Sequence, residues 1–187
     1  MKYINDLIEN FRLKSQAKGE FLLIINEFRD SSLSLKYKNT TSQLLIDKIE
    51  NFIKNYKDYH DIDKYYKTVF SDNIALFKGK TLLTAACLYA PQYIDVLLKN
   101  GANVNKKDGM GLSPIRNLFI FNDNAEDYTG KLFKYGLKID DKDLDYIKSK
   151  TNIDCFLKII ESLDENEKFK NIYAEKLDNS KKRRPVL

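Results

Sequence analysis

One histidine, His60, sits in the run Lys57-Asp58-Tyr59-His60-Asp61, where a neighbouring carboxylate could hold an imidazole for acid–base work. No nucleophile motif accompanies it, so a solvated histidine at a helix end is expected. Gly79-Lys80-Thr81 has the residue types that close a phosphate-binding loop. That loop needs a glycine five positions before its last glycine; Ile74 stands there, and the backbone cradle is incomplete. Asp141, Asp143 and Asp145 alternate as calcium ligands do, but Tyr146 takes the place of the required glycine and Asn152 that of the closing glutamate. Carboxylates favour helix N-termini, so a charged helix start is the better reading. Cys87 and Cys155 form neither a CxxC site nor a disulfide framework. Cys87 lies among apolar residues and is expected as a buried thiol in a reducing compartment. No catalytic residue, cofactor or metal is expected.

The elements around these residues read as helices, and the fold class expected is all-α. Tyr3, Ile4, Leu7, Ile8 and Phe11 recur at three- and four-residue spacing, as on an amphipathic helix. Phe21 to Ile25, with Phe28, reads as a buried helix, and Ser31 to Thr41 as a polar connector. Thr40 and Gln43 have capping-box spacing ahead of the stripe Leu44, Leu45, Ile49, Phe52, Ile53 and Tyr56. A further short helix is expected to carry Ile62, Tyr65, Tyr66, Val69 and Phe70.

From Gly79 the sequence repeats itself. Gly79-Lys80-Thr81-Leu82-Leu83-Thr84-Ala85-Ala86-Cys87 leads to Ile94-Asp95-Val96-Leu97-Leu98-Lys99-Asn100-Gly101-Ala102-Asn103-Val104-Asn105. Asp108-Gly109-Met110-Gly111-Leu112-Ser113-Pro114-Ile115 opens a second unit, 32 residues after the first. This pattern resembles the ankyrin repeat, a unit of about 33 residues with a turn, two antiparallel helices and a projecting loop. Thr81 and Ser113 stand where a hydroxyl caps the first helix, and Pro114 suits its first position. Ala85 and Ala86 allow close helix approach, while Val96, Leu97 and Leu98 make the apolar face of the second helix. Gly101 supplies the left-handed residue that ends it. The second unit carries Asn117-Leu118-Phe119 where small residues are usual, then Asn122-Asp123-Asn124, and closes with Leu132, Phe133 and Gly136. A third, degenerate unit would use Leu144, Tyr146 and Ile147, then Ile153, Phe156, Leu157, Ile159, Ile160 and Leu163, with Thr151 as a cap. The family's hallmark histidine is missing: Thr84 and Arg116 occupy its positions, which removes the usual bracing between repeats.

The organisation expected is residues 1–72 as an N-terminal helical region, 73–163 as repeats and 164–187 as a terminal helix with a basic tail. No repeat buries its own face, so the N-terminal helices must cover the first one. Composition agrees with a folded chain: 43% of residues are hydrophobic and 32% charged. The formal charge is +5, but Lys181, Lys182, Arg183 and Arg184 supply most of it. A body that balanced is not an obvious binder of nucleic acid or of anionic membranes. The opening residues lack a long apolar run, which argues against a classical signal peptide. The longest apolar run, Phe21 to Ile25, is too short to span a bilayer.

The resemblance implies a non-enzymatic protein–protein interaction module, a monomer with one protein partner. Ankyrin proteins bind through turn tips and exposed first-helix positions. The matching residues are Phe77, Lys78, Lys80, Leu88 and Tyr89 in the first unit, and Lys107, Met110, Leu112, Ile120 and Phe121 in the second. Most are apolar or aromatic, as anchors at interfaces are. Lysine far outnumbers arginine, with abundant Asn, Ile, Tyr and Phe, which suggests AT-rich coding. A bacterial or viral protein, cytoplasmic or delivered to a host cell, fits that bias. The alternatives are an immunity-type inhibitor of a cognate protein, or weak nucleic-acid association through the basic tail, which salt would weaken steeply.

Overall fold

The computed structural model describes residues 2–33, 42–64, 79–122, 124–152 and 159. All regular elements among them are helical, and no strand occurs there. The helices are α1 (Lys2–Leu33), α2 (Gln43–Tyr56), α3 (Leu82–Tyr89), α4 (Ile94–Lys99), α5 (Pro114–Phe121), α6 (Glu126–Lys134) and α7 (Asp141–Lys150). The expected helix over 65–70, most of the third unit's second helix, residues 164–187, Thr40, Cys155 and the basic tail lie outside the described residues.

The two N-terminal helical stretches are one helix of 32 residues. Its second half packs inward through Ala17, Phe21, Ile24, Ile25 and Phe28. The first stripe does not pack: Ile4, Leu7, Ile8 and Phe11 are exposed. Helix α2 runs back along α1, with Tyr56 Oη donating to Glu20 at 2.7 Å and Lys48 paired with Glu27 at 2.5 Å. Leu45, Ile49, Phe52 and Tyr56 are buried on the stripe's inner side, whereas Leu44 points outward. The N-cap of α2 is Ser42, which makes no side-chain cap; its N–H donates to Tyr93 Oη at 2.9 Å.

Two layers follow. Helix α1 packs on α3, α3 on α5 and α5 on α7; behind them α2 packs on α4 and α4 on α6. One hydrophobic core runs through all seven helices, with Leu82, Leu83, Ala85, Ala86 and Leu97 at its centre. Thr81 and Ser113, Leu82 and Pro114, Ile94 and Glu126 stand at the same offset of 32 residues. Gly101 and Gly136 end the second helices at φ 89° and 78°. In each case the next amide reaches back, Ala102 N–H to Leu97 O at 3.1 Å and Leu137 N–H to Leu132 O at 3.2 Å. A single 3₁₀ turn, Pro91–Tyr93, shortens the link between α3 and α4.

Gly79 has φ +79°, and its carbonyl accepts the Gly109 N–H at 2.7 Å. A Cβ on Gly79 would lie 2.7 Å from the Gly109 Cα, whereas one on Gly111, also left-handed at φ +77°, would meet nothing. Gly111→Ala should therefore cost only the left-handed strain of about 1–2 kcal/mol. Gly79→Ala adds a backbone clash and should cost clearly more, about 3 kcal/mol. Paired denaturant melts of the two variants check the order; equal losses would show that the turns do not touch.

Candidate functional site

The residues that join the two turns are polar and sealed from solvent. Lys80 Nζ donates to Asp108 Oδ2 and to Asn117 Oδ1, both at 2.5 Å. Asn117 Nδ2 donates to Asp108 Oδ2 at 3.2 Å and to the Ser113 carbonyl at 3.0 Å. The other Asp108 oxygen, Oδ1, accepts the N–H groups of Met110 at 2.9 Å and Leu112 at 3.0 Å. Lys80, Asp108 and Asn117 are all at or below 4% exposure. Burial pulls the Lys80 pKa down and the Asp108 carboxylate pulls it back. The lysine of Gly79-Lys80-Thr81 thus faces an internal carboxylate and is closed to phosphate.

The hydroxyl caps stand as the sequence indicates. Thr84 N–H donates to Thr81 Oγ1 at 3.1 Å, and Thr81 N–H to Thr84 Oγ1 at 2.9 Å, which makes a reciprocal capping box. Ser113 Oγ accepts the Arg116 N–H at 3.3 Å. Arg116 reaches Asp143 on α7 at 3.5 Å, and its guanidinium lies 5.1 Å from the Tyr146 ring centroid. Burial holds the Asp143 carboxyl above its usual range, against a hydrogen bond with Ser113. The positions without histidine are therefore occupied by a cap and by a strut to α7. Asn122 Nδ2 donates to the Cys87 and Leu118 carbonyls, both at 2.8 Å, and so joins the ends of α3 and α5. Asn105 joins the loops, donating to Gly136 O at 3.0 Å and accepting the Lys138 N–H at 2.7 Å.

The ten residues expected to bind a partner divide sharply. Lys80 and Leu88 are 1% exposed, and Tyr89 is 9% exposed. The expectation of exposure fails for them because α3 is enclosed, with α1 on one side, α5 on the other and α4 behind; every one of its residues is buried. Burial pushes the Tyr89 hydroxyl up to about 12. Met110 and Phe121 are well exposed, and Leu112 and Ile120 are half-buried. Lys107 is exposed and pairs with Asp140 at 2.8 Å. Phe77 and Lys78 lie outside the described residues. The Tyr89 and Phe121 rings do lie side by side, with centroids 6.5 Å apart and planes at 30°. Beside Phe121 a cleft of about 590 Å³ is lined by Phe119, Ile120, Asn122, Glu126, Lys150 and Thr151.

The other chemical candidates are structural. His60 is buried rather than solvated. After α2 the chain curls so that His60 N–H donates to Tyr56 O at 2.7 Å, and the ring enters between Phe21 and Phe52, 5.1 and 5.0 Å away. Burial, helped by Lys64, pushes its pKa down to about 4. The acidic run starts α7: Asp140 Oδ1 accepts the Asp143 N–H at 2.8 Å as the N-cap, with Asp141 and Asp143 in the first turn. Thr151 ends this helix, its Oγ1 donating to Ile147 O at 3.0 Å. Cys87 is fully buried and its thiol pKa is raised accordingly.

No protein-family model matches the chain, and no curated protein matches it.

Two outcomes follow from these buried groups. Lys80→Met leaves Asp108 charged and unpaired inside the protein and should cost about 3–5 kcal/mol. Lys80→Met with Asp108→Asn removes both charges and should cost less than the single change; strict additivity in urea melts would deny the pairing. His60 is neutral in both states above pH 6.5. As pH falls from 6.5 toward 4, the unfolded chain takes up a proton that the folded ring refuses, and stability drops. The site borders a surface cleft, so about 2 kcal/mol is expected, short of the full shift. His60→Leu should reduce the fall in melting temperature across that window; an unchanged pH profile would place the proton elsewhere.

Proposed function

We propose that this chain is a non-enzymatic protein-binding module of ankyrin-repeat type. The observation that carries the reading is the recurrence of left-handed turn glycine, cap, first helix and second helix at one offset in two successive units, each second helix closed by a further left-handed glycine. Such arrays hold rigid surfaces at fixed spacing, and partners are gripped by side chains that the stacking leaves outside. Here those side chains belong to the second unit. Met110 and Leu112 stand on the turn, Ile120 and Phe121 end α5, and the cleft beside Phe121 opens toward α7. The turn is held by Asp108 and the helix end by Asn122, so these groups are positioned before any partner arrives. Preorganisation of that kind lowers the entropy cost of binding. The partner surface should present apolar side chains to Met110 and Phe121 and polar groups to the cleft, where Glu126, Lys150 and Thr151 stand.

Met110→Ser with Phe121→Ser should weaken partner binding by about 2 kcal/mol, roughly thirtyfold. Folding should change by only about 0.5 kcal/mol, because both residues are exposed. Tyr89→Ser should do the reverse and cost stability, since its ring is buried. Affinity capture with wild type and variants, compared by quantitative mass spectrometry, checks this. A partner retained equally by the double variant would move the site away from α5.

A further inference from the structure

Residues 4–12 of α1 are all exposed, and contact with the core begins at Leu13. The last turn of α2 bonds to α1 at Glu20, where Tyr56 Oη donates. The first turns of α1 therefore stand clear of the body over about 13 Å of helix. Part of their surface is apolar: Ile4, Leu7, Ile8 and Phe11 are 59, 51, 60 and 74% exposed. At roughly 100° per residue these four share one arc, rotated by roughly 110° from the line of Ala17, Phe21, Ile24, Ile25 and Phe28 that faces the core. They form a second apolar face, aimed away from the body. A helical segment this short with apolar side chains in water is marginal by itself.

Charge is sorted around the same turns. Asp6 and Glu9 fall on the side opposite the apolar arc, and the Arg12 guanidinium is held by Glu9, with Nε donating at 2.8 Å. Lys14 and Lys18, both exposed, continue the line of Ile4, Leu7 and Phe11 at three- and four-residue spacing. Asn5 and Asn10 lie off the arc. The face thus offers apolar anchors and ammonium charge, with the exposed Ser15 hydroxyl the one further hydrogen-bonding group on its line. A second copy aligned in parallel along this line would bring lysine against lysine. A protein groove would find little on it to fix register. A negatively charged plane with an apolar interior needs only anchors and cations.

We propose that the first turns of α1 lie in the plane of an anionic lipid surface. Ile4, Leu7, Ile8 and Phe11 enter the boundary of the acyl chains, and Lys14 reaches the headgroup phosphates. The attachment is peripheral: no helix among the described residues is long and apolar enough to cross a membrane. The near-balanced charge of the body does not oppose it, because distant charges are screened beyond about 8 Å at physiological salt.

Co-sedimentation of the full chain with vesicles tests this. Binding is expected to vesicles of phosphatidylcholine with about one-third phosphatidylserine, and to be about tenfold or more weaker with phosphatidylcholine alone. Leu7→Ser with Phe11→Ser should cut it about tenfold or more while leaving the melting temperature unchanged. Lys14→Glu should weaken it further in the charged vesicles, and removal of residues 181–187 should leave it standing. No binding to the charged vesicles, binding lost only with the basic tail, or binding untouched by the double serine variant would each overturn the proposal. So would a dimer in sedimentation velocity that the double variant dissolves, which would assign the face to a second copy of the chain.

Discussion

A single ion pair sealed between two turns, Lys80 with Asp108, fixes how the successive helix pairs meet. Taking both charges out of water costs several kcal/mol each, so the pair is tolerable only with every other polar atom answered. Here Asn117 bonds to both partners, and Asp108 spends its second oxygen on the N–H groups of Met110 and Leu112. The same carboxylate thereby closes the charge and shapes the turn. The turn sets Ser113, which caps α5, and Gly109, which presses on Gly79. Position and polarity of the outer side chains follow from what is buried beneath them.

The geometry also explains why exposure is uneven between units of similar sequence. Helix α3 lies between two neighbours in its own layer and against α4 behind. Helix α5 has α3 and α7 beside it, yet its last turn, at Ile120 and Phe121, borders the open cleft. Arg116 props α7 against the first turn of α5, so the cleft is held open at its far end by α7 and Thr151. Residues at matching positions in the two units therefore have different environments, and Tyr89 and Phe121 are the clearest pair.

Helical content, the hydroxyl caps at Thr81 and Ser113, the glycines at Gly101 and Gly136, the buried Cys87 and the inner stripe of α2 were legible in the sequence, because local chemistry decides each of them. What was not legible depends on contacts distant in the chain. Lys80 reads as a surface residue until Asp108 and Asn117 come within reach. The signal available was Asn117 itself, a polar residue in a first-helix position where the apolar neighbours Leu118 and Phe119 mark the core. His60 reads as solvated because its flanks are charged, and only the approach of Phe21 and Phe52 buries it. The stripe from Ile4 to Phe11 has the periodicity of a packed helix, yet periodicity gives a face without saying whether anything meets it. Of the residues expected on a binding surface, Met110 and Phe121 are exposed, whereas Lys80, Leu88 and Tyr89 are buried, since enclosure of α3 is set by α1 and α5 together.

Among the described residues, polar ties join elements that are packed against each other. Asp63 takes the Asn103 N–H, Asn105 holds Gly136 and Lys138, and Asn122 joins α5 to α3. Ties of this kind couple each helix to those packed against it, and opening starts where the ties are fewest. Helix α3, enclosed by its neighbours, is the last element to fray. Its amides should exchange with solvent only through global unfolding, while those of α7 exchange through local excursions that leave the other helices closed.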